Sequence, residues 1–248
     1  AGCRVPGAGC RVPGAGCRAT CHAAHLAVHT RAMRSELFNQ AHNEVHTGER
    51  YTLQSSKMLR VSLGPDVIAA KGVMVAYTGQ VQFKHEGAGS VAKVMKRVLT
   101  AEDQPLMRMS GQGEVYLARR AANVFTMLLE GEGISVGGHS LLAFDANLQW
   151  DVHRTSGAGM VGAGLFNTVI GGHGTVALTS DGPPLILDCS QRPVFVDTDA
   201  AVCWSASIAP TIVSSMSAMS FIGRGSGEAI QYSFHGPGFV VVQPSETV

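Results

Sequence analysis

Residues 134–148, ISVGGHSLLAFDANL, match two other stretches of the same chain without a gap: 67–81, VIAAKGVMVAYTGQV, and 194–208, VFVDTDAAVCWSASI. Several columns keep their character. The first is β-branched (Val67, Ile134, Val194) and the ninth aliphatic (Val75, Leu142, Val202). The tenth is small (Ala76, Ala143, Cys203), the eleventh aromatic (Tyr77, Phe144, Trp204) and the fifteenth aliphatic (Val81, Leu148, Ile208). Like residues at fixed spacing mark an internal repeat, and the chain reads as a triplicate.

A second motif follows each copy. It is Gly111-Gln-Gly113-Glu-Val115-Tyr-Leu117, then Gly172-His-Gly174-Thr-Val176-Ala-Leu178, then Gly236-Pro-Gly238-Phe-Val240-Val-Val242. The aromatic and the first glycine are 34, 28 and 32 residues apart, so length changes fall between the motifs. In the first motif two apolar stretches flank a polar or glycine centre (Ala70-Lys71-Gly72, Gly137-Gly138-His139, Asp197-Thr198-Asp199), which predicts strand, tight turn, strand. In the second, period-two apolar positions follow paired glycines. That predicts a bend or close backbone approach leading into a strand with one buried face.

Units of about 60 residues are small for independent folding, so three are expected to share a core. The expectation is an all-β fold, sandwich-like or barrel-like, with pseudo-threefold symmetry and repeats at about 51–118, 119–180 and 181–245 of a single domain, 33–248. An insertion in the first repeat carries Val91, Val94, Met95, Val98 and Leu99 at helical spacing after Ser90. It predicts one short helix near 90–100, with Lys93, Lys96 and Arg97 on its polar side. Such a helix could touch a membrane or an anionic partner, or pack across one end of the core.

The hydrophobic fraction of 45% supports a sizeable core, 30 glycines suit a turn-rich β protein, and 15% charged residues is low for a nucleic-acid binder. Net charge is +1, but residues 1–32 hold Arg4, Arg11, Arg18 and Arg31 and no acid, so subtracting their +4 leaves −3 for 33–248. A mildly acidic body disfavours phosphate-backbone binding. No run of 18 apolar residues suggests a membrane span. Cys3, Cys10, Cys17 and Cys21 lie in the first 32 residues, and Cys189 and Cys203 alone lie in the body, where strand-like apolar surroundings predict buried thiols and a cytoplasmic setting.

Residues 1–18 are a heptapeptide tandem, AGCRVPG twice and then AGCR, whose composition cannot build a core. The segment 1–32 reads as a disordered, low-complexity extension with a native start expected at Met33. Cys17, Cys21 and His22 with His25 and His29 offer a zinc reading, set against repetitive DNA read from an upstream start. Between 51 and 66, Tyr51-Thr-Leu53 and Met58 to Leu63 alternate as strands before a Gly64-Pro65-Asp66 turn. His42 and His46 would share a face on a helix, but no third ligand accompanies them. Residues 156–174, with Gly157, Gly159 and Gly162, formally match a dinucleotide fingerprint. They lead into a β repeat and read as a glycine-rich loop. Thr211 to Gly227 reads as a long Ser/Met/Gly-rich connection, and the terminal VVVQPSETV as a strand stopped by Pro244.

The body contains no G-x-S-x-G elbow, P-loop, H-E-x-x-H or paired C-x-x-C. Asp145 with Asp151, or Asp197 with Asp199, would be the carboxylate pairs for acid–base work, yet they occupy alternating or turn positions where solvated acids are expected. His173 and His235 fall in or beside the Gly-x-Gly motifs, where the first copy has Gln112. The reading therefore names no catalytic, cofactor-binding or metal-binding residue, and no cofactor.

Taken in order, Gly72-Val-Met-Val-Ala-Tyr77, Gly111 to Ala118, Leu142-Ala-Phe144-Asp, Val202-Cys-Trp204-Ser and Gly236 to Ser245 resemble the mitochondrial-biogenesis (altered inheritance of mitochondria) family, common in bacteria, over about 51–245. The resemblance implies a fold similar to the tryptophan RNA-binding attenuation protein, with a triplicated β unit. It implies no reaction and no catalytic residues; mitochondrial relatives are linked to inner-membrane organisation. The chain is therefore expected to be a non-enzymatic binding or scaffold protein, membrane- or assembly-associated. Its partner would be an unidentified protein or a membrane surface, and a homo-oligomer is compatible. Binding of RNA or a small ligand is the alternative, although fold analogy alone is weak support for nucleic acid.

Overall fold

The structure is a computed structural model, and it describes residues 35–86, 105–154, 166–214 and 230–245. The expected helix near 90–100, the extension 1–32, Gly157 to Gly162 and residues 215–227 lie outside the described residues. The described residues fall into two units, divided after Glu44. The first contains two single-turn 3-10 helices, Glu36–Phe38 and Gln40–His42. Each begins on a side-chain cap: Ser35 Oγ accepts from the Leu37 N–H at 3.1 Å, and Asn39 Oδ1 from the Ala41 N–H at 3.3 Å.

The second unit is all-β and antiparallel. Its strands are β1 (Tyr51–Ser55), β2 (Met58–Leu63), β3 (Val67–Ala70), β4 (Met74–Glu86), β5 (Leu106–Leu117), β6 (Asn123–Gly137), β7 (Leu141–Asp145) and β8 (Gln149–Arg154). There follow β9 (Phe166–Ser180), β10 (Leu185–Asp188), β11 (Val194–Asp197), β12 (Ala201–Ser205), β13 (Thr211–Ser214), β14 (Ile230–Phe234) and β15 (Phe239–Val242). The expected strands at 51–63 and the terminal strand before Pro244 are present. Two expected loops are partly strand. β9 begins at Phe166, inside the glycine-rich stretch, and β13 occupies the first four residues of the Ser/Met-rich connection. In both places a neighbouring strand recruits the backbone: β6 and β8 for β9, and β14 for β13.

The pairing has a simple rule. β5 lies between β4 on one side and β2 then β3 on the other. β9 lies between β7 then β8 and β6. β15 lies between β12 and β10, and β14 between β13 and β11. Two further pairings join these groups: β3 to β7, with Ile68 opposite Phe144, and β6 to β12, with Ser135 opposite Trp204. The tight turn of each first motif is thus not a hairpin. β3 and β4, β6 and β7, and β11 and β12 do not pair with each other among the described residues, and the turn carries the chain to a different neighbour. Local hydrogen bonds close two of these corners, from Ser140 N–H to Gly137 O at 2.9 Å and from Ala200 N–H to Asp197 O at 3.2 Å.

The expected barrel is not closed. Among the described residues the strands form a twelve-stranded sheet whose path ends at β1 and β10, with β4 branching off β5 and β8 off β9, and a separate three-stranded sheet in the order β11, β14, β13. β4 pairs only with β5 and β11 only with β14. Side-chain burial follows. Phe144 and Trp204 of the aromatic column are fully enclosed, whereas Tyr77 on β4 is 50% exposed. Burying a side chain of this size is worth about 2–3 kcal/mol, so two copies of the column stabilise the core and the first only partly. Trp204 packs with Tyr232 and Phe234 at ring separations of 5.7 and 5.4 Å, and Phe144 meets Trp150 edge-on at 6.1 Å.

The expected close backbone approach is met in the first Gly-x-Gly motif, whereas the glycines of the second and third motifs face side chains. In β5, a Cβ on Gly111 would lie 2.1 Å from Gln80 O, and one on Gly113 would lie 2.0 Å from Thr78 O. Strands β4 and β5 pair there with no room for a side chain.

Candidate functional site

Asp145 ends β7 directly after Phe144 and is only 7% exposed. Its Oδ1 accepts from Arg50 Nη1 at 2.6 Å and from the Tyr51 hydroxyl at 2.8 Å. Its Oδ2 accepts from the Thr175 N–H at 2.8 Å. Gly174 makes the space: a Cβ there would stand 3.1 Å from Oδ2. Arg50 also donates from Nη2 to Pro65 O at 2.8 Å, and its guanidinium lies 5.5 Å from the Tyr51 ring centre. A buried carboxylate is tolerated when its charge is paired and its lone pairs are occupied, and both conditions hold.

This arrangement binds one stretch of chain to another. Burial raises the Tyr51 phenol above its ordinary value of 10.0, and the charge and hydrogen bond of Asp145 push it further up, so it stays a donor. A raised folded-state pKa favours the native form below the unfolded value, and that advantage is lost above it. Stability is therefore expected to fall on raising the pH past 10.0. The decline is about 1.4 kcal/mol per pH unit while the folded phenol remains protonated. Urea midpoints at several alkaline pH values check this, and Tyr51→Phe should flatten the profile.

The position after the aromatic has a similar neighbour in each copy. Thr78 O lies against Gly113, Asp145 Oδ2 against Gly174 and Ser205 Oγ against Gly238, where a Cβ would come within 2.0, 3.1 and 2.6 Å. Ser205 Oγ accepts the Phe239 N–H at 3.1 Å, as Asp145 accepts that of Thr175. This column links the two motifs of each repeat, and sequence comparison registered only the aromatic before it.

Other charges are also held internally. Arg60, 2% exposed, places Nη1 at 2.6 Å from His46 Nδ1 and at 3.2 Å from Glu114 Oε1. Arg108 grips Glu86 through two hydrogen bonds of 2.8 and 2.9 Å and reaches Asp66 at 3.3 Å, which raises its pKa, the Glu86 bond contributing most. Large apolar side chains are exposed on several strands: Val75 and Tyr77 on β4, Leu128 on β6, Leu185 and Ile186 on β10, and Phe195 on β11. Among the described residues no helix is long and apolar enough to cross a membrane.

The model of the family described as mitochondrial biogenesis AIM24 matches residues 51–245. The chain belongs to the AIM24 family. The crystal structure of protein SPYM3_0169 from Streptococcus pyogenes resembles this AIM24 chain with a TM-score of 0.64 and 21% identity, covering 79% of this chain and 92% of that one. At that identity the likeness speaks for the fold. No curated protein matches the chain.

Within this AIM24 fold the residues weighed from sequence separate. Asp145 is buried, correcting the expectation of a solvated acid, because Arg50 and Tyr51 come from 95 and 94 positions away to enclose it. Asp151 is exposed on β8, with His153 at 3.8 Å. Asp197 and Asp199 form a turn in which Asp197 Oδ1 accepts the Asp199 N–H at 2.8 Å. His42 closes a 3-10 turn that does not extend to His46, so no helix aligns the two. His173 lies within β9 opposite Glu130, not in a turn. Cys189 and Cys203 are buried free thiols, and burial pushes Cys203 up to about 12.

Proposed function

We propose that this AIM24 protein is a non-enzymatic binding or scaffold module of the cytoplasm that works at a membrane surface or in an assembly. One observation carries the reading. The buried or half-buried charges Asp145, Arg50, Arg60, Arg108 and Glu86 bind one another and the backbone, while large apolar side chains are exposed on β4, β6, β10 and β11. Acid–base chemistry needs a titrating group facing a space for substrate, and Asp145 faces Arg50, Tyr51 and Thr175 instead. Contact surfaces, in contrast, are built from exposed apolar groups. Buried free thiols at Cys189 and Cys203 support a reducing compartment.

The three sequence copies, and the like positions between flanking strands of β5, of β9 and of the β14 and β15 segments, support reading the domain as a triplicated unit of pseudo-threefold design, like the tryptophan RNA-binding attenuation protein. That protein's ligand does not follow, since the body's charge of −3 works against a phosphate backbone.

The purified full chain is expected to float with vesicles of phosphatidylcholine and phosphatidylglycerol, or to retain a defined protein or lipid in native mass spectrometry. Turnover in a broad small-molecule screen, or a mobility shift with total RNA at moderate salt, would overturn the proposal.

A further inference from the structure

We propose that the free side of β4 and the free side of β11 are two halves of one interface, and that a second copy of this chain completes it. This interface goes beyond the scaffold reading and needs no foreign partner. Within the chain the same kind of seam occurs twice. At the first, β3 pairs with β7, placing Val67 opposite Asp145, Ile68 opposite Phe144 and Ala69 opposite Ala143. At the second, β6 pairs with β12, placing Ile134 opposite Ser205, Ser135 opposite Trp204 and Val136 opposite Cys203. In the columns of the repeat, both seams oppose the first three positions of one copy to the twelfth, eleventh and tenth of the next.

Continuing the rule, the third copy's first positions should oppose the first copy's last. Val194 would face Thr78, Phe195 would face Tyr77 and Val196 would face Ala76. Among the described residues β11 pairs only with β14 and β4 only with β5, so this third seam is open. The side chains show the consequence. Tyr77 is 50% exposed, Val75 52% and Phe195 58%, whereas their equivalents in the other copies, Phe144 and Trp204, Leu142 and Val202, and Ile68 and Ser135, are buried. Each molecule therefore carries one copy of each half, both extended, both apolar and, among the described residues, both with backbone unpaired along one side.

Antiparallel pairing of β4 from one molecule with β11 from another would repeat a register the chain already uses twice. It would also bring Tyr77 and Phe195 together as a cross-strand aromatic pair. The halves differ, so association is head to tail and yields rings or linear chains rather than a twofold dimer.

Sedimentation and native mass spectrometry of the full chain test this through Tyr77→Asp and Phe195→Asp, whose parent side chains are largely solvated, with circular dichroism as the check on folding. The wild type is expected to be oligomeric, each variant alone monomeric, and an equimolar mixture of the two a one-to-one dimer, since each retains the half the other lacks. Tyr77→Ser and Phe195→Ser serve the same comparison should an aspartate variant fail to fold. A wild type that is monomeric at every concentration overturns the proposal. So does a folded variant that still assembles, or a mixture that forms no dimer.

Discussion

Gly113→Ala is expected to destabilise the domain by about 4 kcal/mol, read as a large drop in urea midpoint. Two effects add. The new methyl would sit 2.0 Å from Thr78 O, a backbone atom that cannot rotate away, so β4 and β5 must separate where they pair Thr78 with Glu114 and Gly79 with Gly113. The residue also has φ of +151°, which L side chains rarely adopt. Gly72→Ala is the comparison: φ is +84°, yet no atom lies within 4 Å of the added methyl. There the loss should be about 1 kcal/mol, from backbone strain alone. Equal losses at the two sites would show that the β4–β5 pairing is not close-packed at Gly113.

Asp145→Ala should destabilise by about 3 kcal/mol, lowering the melting temperature by roughly 10 °C. The substitution strands the Arg50 guanidinium, the Tyr51 hydroxyl and the Thr175 N–H at once, and an orphaned buried partner is penalised more than a lost exposed pair. Asp145→Asn keeps the size and one acceptor oxygen but loses the charge, and should fall between the wild type and the alanine variant. Since Arg50 Nη1 and the Tyr51 hydroxyl act on the same oxygen, a double-mutant cycle between Tyr51→Phe and Asp145→Ala should be strongly non-additive. Additive losses would mean that the contacts seen at Asp145 contribute little.

The Asp145 node also shows why the candidate site was less legible than the fold. In sequence, Asp145 follows an aromatic in a column that holds Thr78 and Ser205 in the other copies, so a solvated polar residue was the natural reading. Nothing local marks Arg50 and Tyr51 as its partners. They come from before the first repeat motif and reach Asp145 because β1 lies beside β2, β2 beside β5, β5 beside β3, and β3 beside β7. The long strand β6 was likewise unread over residues 123–133. Its Val124, Phe125, Met127, Leu128 and Leu129 lack clean alternation, and pairing with β9 imposes the extended form.

The sequence by itself determined the class and the local grammar of this protein. It located the motifs at 67–81, 134–148 and 194–208, the all-β character, and the glycines at which strands touch. Those features depend on side-chain periodicity and on the absence of a Cβ, which are properties of neighbouring residues. Only the tertiary structure decided which strands pair, and with that which members of a like column are buried. Tyr77, Phe144 and Trp204 are alike on paper, but Phe144 is covered through β3 and Trp204 through β6, while β4 has a free side. The physical reason is that burial of a strand depends on a neighbour supplied from elsewhere in the chain, and no local pattern records whether that neighbour arrives.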